Sequence, residues 1–323
     1  MKTTTKLFAL LLFSLVIFAG TAVADEMTST VQLDETFKKA NEWLLQNNLA
    51  LTGGASKRDD LAAFKQDEIL FYGEAVGNPA HSTPAQREMM AKRAAEVVAQ
   101  RALVEYLEGF ALVGDTCVDL AMTKSDSIRS AVQGFVKGAQ IVFKEYNKET
   151  DTAVAIIKIG LHGSKGYAST FYNKMNSDPN FKKEISTDKP DFKPAPAKIE
   201  QVKIEQAKLE VPYDCLIIDA TEQDFRPALI NRIFTVKGDV LYDPAKVSQK
   251  VLVEQGCGEY TNSVEKAKAV LASRGAKRPL VLKAAGSLNK SDLQVNDEDA
   301  VAVFSANQKA NFLSGAMVAF VLK

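Results

Sequence analysis

The stretch TPAQREMMAKRAAEVVAQRALVEYLEGF, residues 83–110, limits the architecture more than any other part of the chain. Thr83 is a good N-cap, Pro84 suits the first helical position, and Gln86 completes a T-x-x-Q capping box, so a long helix starts here. With Val98 as reference and steps of about 100° per residue, Ala91, Ala94, Ala95, Ala102, Tyr106 and Phe110 share one broad face. Arg93, Glu96, Gln100, Arg101 and Glu108 fall mostly on the other. A face made of alanine brings the backbone close to its neighbour, as when a helix lies flat on a sheet. The arginines read as solvated, with Arg93 near enough to pair with Glu96.

Strand patterns flank this helix. ILFYGEAVG (69–77) precedes it and the strand-like ALVGDTCVDLAM follows. SDSIRSAVQGF reads as a short capped helix ending near Gly134. AQIVFKEY and TAVAIIKIGL, joined by the turn-rich NKETD, read as an antiparallel hairpin. Upstream, LDETFKKANEWLLQNNLAL is a lead helix, and Trp43 is the residue to dock it onto the following domain. The order predicts an α+β domain over 66–170, with helices on one face of a mainly antiparallel sheet and the lead helix within 30–54.

Composition changes over 174–212, where NFKKEISTDKPDFKPAPAKIE predicts an extended Pro/Lys-rich linker. The repeat KIEQVKIEQAKLE inside it fits a short helix or an alternating strand equally. A second α+β domain of the same kind is expected over 213–323. It opens on the central strand DCLIIDA, turns at Lys237-Gly238-Asp239, and closes on the strand AMVAFVL.

The chain starts MKTTTKLFALLLFSLVIFAGTAVADE. Lys2 and Lys6, the apolar run Leu7 to Phe18 and the small residues Ala22-Val23-Ala24 predict a signal peptide over 1–24, with cleavage before Asp25. Export follows as the expectation, with no transmembrane segment after cleavage. Without Lys2 and Lys6 the 40 basic residues become 38, against 40 acidic ones, a balance that argues against nucleic acid as a partner. Three cysteines remain, Cys117, Cys215 and Cys257. Cys215 and Cys257 lie in the same half and are the one pair placed to form a disulfide, leaving Cys117 as a small hydrophobe.

Chemistry-bearing patterns are sparse. Of the two histidines, His81 sits in a turn and His162 at a strand end, and neither lies near cysteines or acids at metal-ligand spacing. No nucleophile elbow occurs, and Ser164 beside His162 reads as a loop residue. No phosphate loop occurs either, and no cofactor is expected. The candidate site residues are Asp219, at the carboxyl end of an apolar strand, Asp224 five residues later, and Arg226. Asp219 can equally cap its own turn or pair with Arg226.

One resemblance goes beyond local pattern. RAAEVVAQRALVEYLEGFALVGDTCVDL, then SDSIRSAVQGFVKGAQIV, then a hairpin ending VAIIKIGL, resembles the LPP-twenty family of bacterial envelope lipoproteins. The same order is similar to the amino-terminal region of flagellar assembly protein T. The second half, with YDCLIIDATEQDFRPALINRIFTVKGDVLYD and NFLSGAMVAFVL, looks like an uncharacterised domain of Gram-negative envelope proteins. The resemblance implies an envelope protein, not an enzyme, that works by assembly with envelope proteins or with itself, at the periplasm or outer membrane, around a flagellar or other outer-membrane structure. Family members carry a lipidated cysteine after the signal, which this chain lacks, so it is expected not to be lipid-anchored. The second expectation is a periplasmic small-ligand or glycan-binding module. A hydrolase using Asp219 and Asp224 comes third.

Overall fold

The computed structural model describes residues 35–54, 57–80, 83–187 and 213–323. The expected signal peptide, His81, and residues 188–212 of the Pro/Lys-rich stretch lie outside the described residues. The fold is α+β, as the element order predicts.

The first half begins with helix α1 (Glu35–Gln46), a two-strand ribbon, β1 (Gly53–Gly54) with β2 (Lys57–Arg58), and helix α2 (Asp60–Gln66). Strand β3 (Glu68–Val76) leads into the long helix α3 (Pro84–Glu108). A small ribbon of β4 (Ala111–Val113) and β5 (Thr116–Cys117) then gives way to α4 (Val118–Lys124) and α5 (Asp126–Lys137). The strand-like run after α3 is thus half helix, because Val118, Ala121 and Met122 recur at helical spacing and are buried. Strands β6 (Gln140–Asn147) and β7 (Thr152–Gly160) form the expected hairpin, with β7 central in the antiparallel order β3-β7-β6.

This sheet is covered on both faces rather than one. On one side α1 packs Ala40 and Leu44 against Leu70, Val154 and Ile156, and Trp43 reaches Phe143 with ring centroids 6.2 Å apart. On the other side lies α3. Burial on two faces explains why β7 is a continuous apolar run without alternation.

The capping of α3 follows its sequence: Thr83 Oγ1 accepts from Gln86 N at 3.2 Å. Its phase does not. Ala91, Ala95, Ala99, Leu103, Tyr106 and Leu107 are buried, whereas Ala94 and Val98 are exposed. The cause is Gly73 in β3, where a Cβ would lie 2.1 Å from Ala95 O and 2.5 Å from Ala99 N. Helix and strand backbones nearly touch there, and only the alanine column meeting that glycine fits. Arg93 does pair with Glu96, at 2.7 Å, but Glu96 is buried and also receives Lys144 Nζ at 2.9 Å.

Helices also replace the start of the expected linker. Helix α6 (Tyr167–Ser177) is followed by α7 (Pro179–Thr187). Asp178 Oδ1 accepts from Asn180 N and Phe181 N at 3.0 and 3.2 Å, so an Asp-Pro step caps the second helix as Thr-Pro caps α3.

The second half runs β8 (Cys215–Asp219), the hairpin β9 (Ile233–Thr235) with β10 (Val240–Tyr242), and α8 (Gln249–Gln255). Then come β11 (Glu259–Thr261), α9 (Val264–Ser273), β12 (Pro279–Lys283), β13 (Gly286–Leu288), β14 (Asp292–Val295), α10 (Asp297–Ala310) and β15 (Val318–Val321). Two sheets result, β10-β9-β14-β13 and β11-β15-β8-β12. The expected antiparallel pairing fails in the second of these, where every pair is parallel. Its strands are buried on both faces: Cys215, Ile217, Ala319 and Val321 pack on Ala267 and Leu271 of α9, while Leu216, Ile218, Val318 and Phe320 join the main core. That core is shared with the first half, for example through Phe64 and Tyr260, 4.6 Å between ring centroids.

The α3 contact gives a graded expectation. Ala95→Leu or Ala99→Leu should cost about 1–3 kcal/mol in urea denaturation through overpacking, while Ala94→Leu should be nearly neutral. Equal costs at all three positions would mean that the helix face is wrongly placed. Burial opposes ionisation of Glu96, yet hydrogen bonds from Lys144 and Arg93 prevail and hold its carboxyl below the usual value. Its ionised form therefore stabilises the fold above the unfolded value of about 4.3, and that contribution is lost as pH falls through the lower folded value. Glu96→Gln should destabilise at neutral pH, with the gap to wild type closing in acid.

Candidate functional site

The three acidic and basic residues singled out by position do not converge. Asp219 ends β8 and accepts from Thr221 N at 3.0 Å and Thr221 Oγ1 at 2.7 Å, a cap on its own turn. Those two hydrogen bonds, from the Thr221 hydroxyl first and its N–H second, hold the Asp219 carboxyl below its usual value. Asp224 and Arg226 are both tied to Lys290 instead. The Asp224 carboxylate pairs with Lys290 Nζ at 3.2 Å on an exposed surface, and Arg226 N donates to Lys290 O at 2.7 Å.

Cys215 and Cys257 are not joined, and all three cysteines are free. The physical reason is side-chain direction: Cys215 faces α9, whereas Cys257 lies in the main core with Tyr260. Burial and then the neighbouring Asp214 charge push the Cys215 thiol up to about 12, and burial raises Cys257 as well. Neither is a ready thiolate.

The polar centre of this half is one that pattern reading missed. Arg232 and Asp292, 2% and 0% exposed, pair bidentately: Nη2 to Oδ2 at 2.6 Å and Nε to Oδ1 at 3.2 Å. Arg232 N adds a third bond to Oδ1 at 3.0 Å. Beside them Asn231 accepts from Ala228 N at 2.9 Å and from the Tyr260 hydroxyl, and donates to Ser291 O. Ser291 Oγ donates across to Gly114 O at 2.9 Å, and Tyr172 donates to Leu229 O at 2.8 Å. The available signal was a lone Arg inside LINRIF and a lone Asp inside KSDLQV, opposite charges in two apolar strands.

His162 has the partner of a catalytic base but not the access. Its Nδ1–H donates to Asp67 Oδ1 at 2.6 Å, and its backbone N donates to the same oxygen at 3.1 Å. Nε2 is buried without a hydrogen-bond partner and abuts Gly256, where a Cβ would come within 2.5 Å of it. The ring lies near Phe64 and parallel to Tyr172. Ser164 is exposed on the following loop, while the nitrogen that would have to take its proton is shut away. Among the described residues no group of three or more His, Cys, Asp or Glu is placed to hold a metal ion.

What stays open is a groove of about 860 Å³ beside His162. Its glycines are Gly134 from α5, Gly138 at that helix's C-cap, Gly160 at the end of β7, and Gly163 and Gly166 from the next loop. Phe135 and Ile159 supply apolar wall, and Lys158, paired with Glu68 at 2.6 Å, supplies a charged rim with Lys165 and Glu254. Sequence reading placed Gly134 at a helix end. It sits inside α5, and a Cβ there would meet nothing within 4 Å.

The buried pair and the sealed histidine both make stability predictions. Arg232→Met should cost about 3–5 kcal/mol by leaving a buried carboxylate unpaired, and adding Asp292→Leu should recover part of it. Gly256→Ala should destabilise too, since Gly256 combines φ of +74° with the His162 contact. Urea melts of the variants check both.

No helix among the described residues is long and apolar enough to cross a membrane. No curated protein matches the chain. The comparisons lend no support to a likeness of the first half to the LPP-twenty family or flagellar assembly protein T. Residues 215–323, which begin at the first residue of β8, match the family model of the second domain of Treponema pallidum Tp0624.

Proposed function

We propose that this is a non-enzymatic exported envelope protein that acts by assembling with other proteins. The observation that carries the reading is that side chains able to do chemistry are committed to holding the fold. His162 Nε2 is shut against Gly256, Asp219 caps its turn, and the thiols of Cys215 and Cys257 are buried. The signal-like start of the sequence supports export, and the envelope setting, with a flagellum-associated one as its most specific form, rests on the resemblance to LPP-twenty proteins read from the sequence patterns of residues 68–161 alone. The match of the second half to a bacterial domain is compatible with this setting.

Two measurements test the reading together. Osmotic-shock fractionation should release the protein with the periplasm or leave it with outer membranes. Cross-linking in intact cells, followed by mass spectrometry, should recover envelope proteins or a second copy of the chain. Recovery in the cytoplasm, or an absence of cross-linked partners at native abundance, would overturn it.

A further inference from the structure

We propose that the groove at the end of β7 takes an extended peptide segment of a partner protein, which adds as a short strand beside Gly160. The proposal rests on the assembly reading for the source of the peptide, but its geometry stands separately.

Strand β7 is paired with β3 along its whole length, from Thr152 opposite Val76 to Gly160 opposite Glu68. On its other side β6 begins only at Gln140, opposite Lys158. The last turn of the pleat on that side has no strand neighbour. Main-chain directions follow from the β3 side. Leu70 O accepts from Thr52 N, Glu68 O accepts from Gln66 Nε2, and Leu161 N donates to Asp67 O. Leu70 and Glu68 therefore turn their amides away from β7, so the residues opposite, Lys158 and Gly160, turn theirs away from β3. Lys158 meets Gln140 there, and Gly160 presents its N–H and C=O to the groove.

Two glycines keep that approach clear. Gly160 is exposed, and a Cβ on it would find nothing closer than His162 O at 3.9 Å. Gly134 sits within α5 with open space in front of it, a position where alanine would favour the helix and no contact requires glycine. Its place on the groove wall gives it a reason, the close approach of a ligand's main chain. Phe135 and Ile159 offer contact for an apolar side chain of that ligand. Lys158 and Lys165 balance Glu68 and Glu254, so the groove has no bias toward an anionic lipid or nucleic acid. An extended peptide, with a donor and an acceptor at every residue, is the chemistry this edge matches.

The test selects random nine-residue peptides on the immobilised mature chain and measures the enriched peptides by fluorescence anisotropy against two variants. Gly134→Leu fills the groove wall from an open helical position, and Gly160→Pro removes the main-chain donor. Each should weaken binding at least tenfold. The melting temperature of Gly134→Leu should stay the same or rise, and amide exchange at Gly160 should slow when peptide is bound to the wild type. No enrichment, binding indifferent to Gly134→Leu, or a groove that takes oligosaccharides in place of peptides would overturn the proposal. Should in-cell cross-links persist in Gly134→Leu while no peptide binds, the groove proposal falls and the assembly reading stands.

Discussion

The fold depends on the buried pairing of Arg232 with Asp292. Two charges taken out of water are costly to bury, and their attraction offsets that cost only when the geometry is good and the spare lone pairs are occupied. Both conditions hold, since the guanidinium is bidentate and the Arg232 N–H takes a further position on the carboxylate. The pair fixes the chain around Ala228 to Arg232 in one conformation, and the consequences spread outward. Leu229 N and Ile230 N reach Ala111 O and Leu112 O of the first half at 3.0 and 2.8 Å, and Tyr172 and Ser291 add side-chain bonds across the same seam. An apolar seam of the same area would hold the halves together, but it would not choose this register.

Much of the fold was legible in the sequence for reasons that are local. Thr83-Pro84 starts α3 because capping needs only adjacent atoms, and the β6–β7 hairpin follows from alternation and a turn. The helix phase was not legible, since the face was drawn around Val98, which is exposed. The contact instead selected for the absence of side chain, and the residue that decides it, Gly73, lies on another strand. The parallel sheet was missed for a related cause. CLII and VAFV are unbroken apolar runs, the mark of strands covered on both faces, but such short runs do not reveal their direction of pairing.

The same division applies to the site. Asp219 was found because a strand end is a local signal, and so was its turn cap. The Arg232–Asp292 pair joins residues sixty positions apart, and only the register of β9 with β14 brings them together. The groove has no motif at all. It exists because β6 starts two residues short of where β7 ends, a difference in length between neighbours that no single segment encodes.

The placement of β15 bears on how such a chain is made. Although it follows every other strand in the sequence, it lies between β11 and β8 rather than at an edge. Until it arrives, β8 has β12 on one side and nothing on the other, and β11 has no parallel partner at all. A chain emerging in order from a ribosome can complete the first-half sheet early, since β3, β6 and β7 are all in hand. The second half must wait, because its keystone comes last. During that wait, Leu216, Ile218 and Tyr260 lack the contacts that Val318 and Phe320 later provide, so the unfinished chain carries an open apolar sheet edge until β15 closes it.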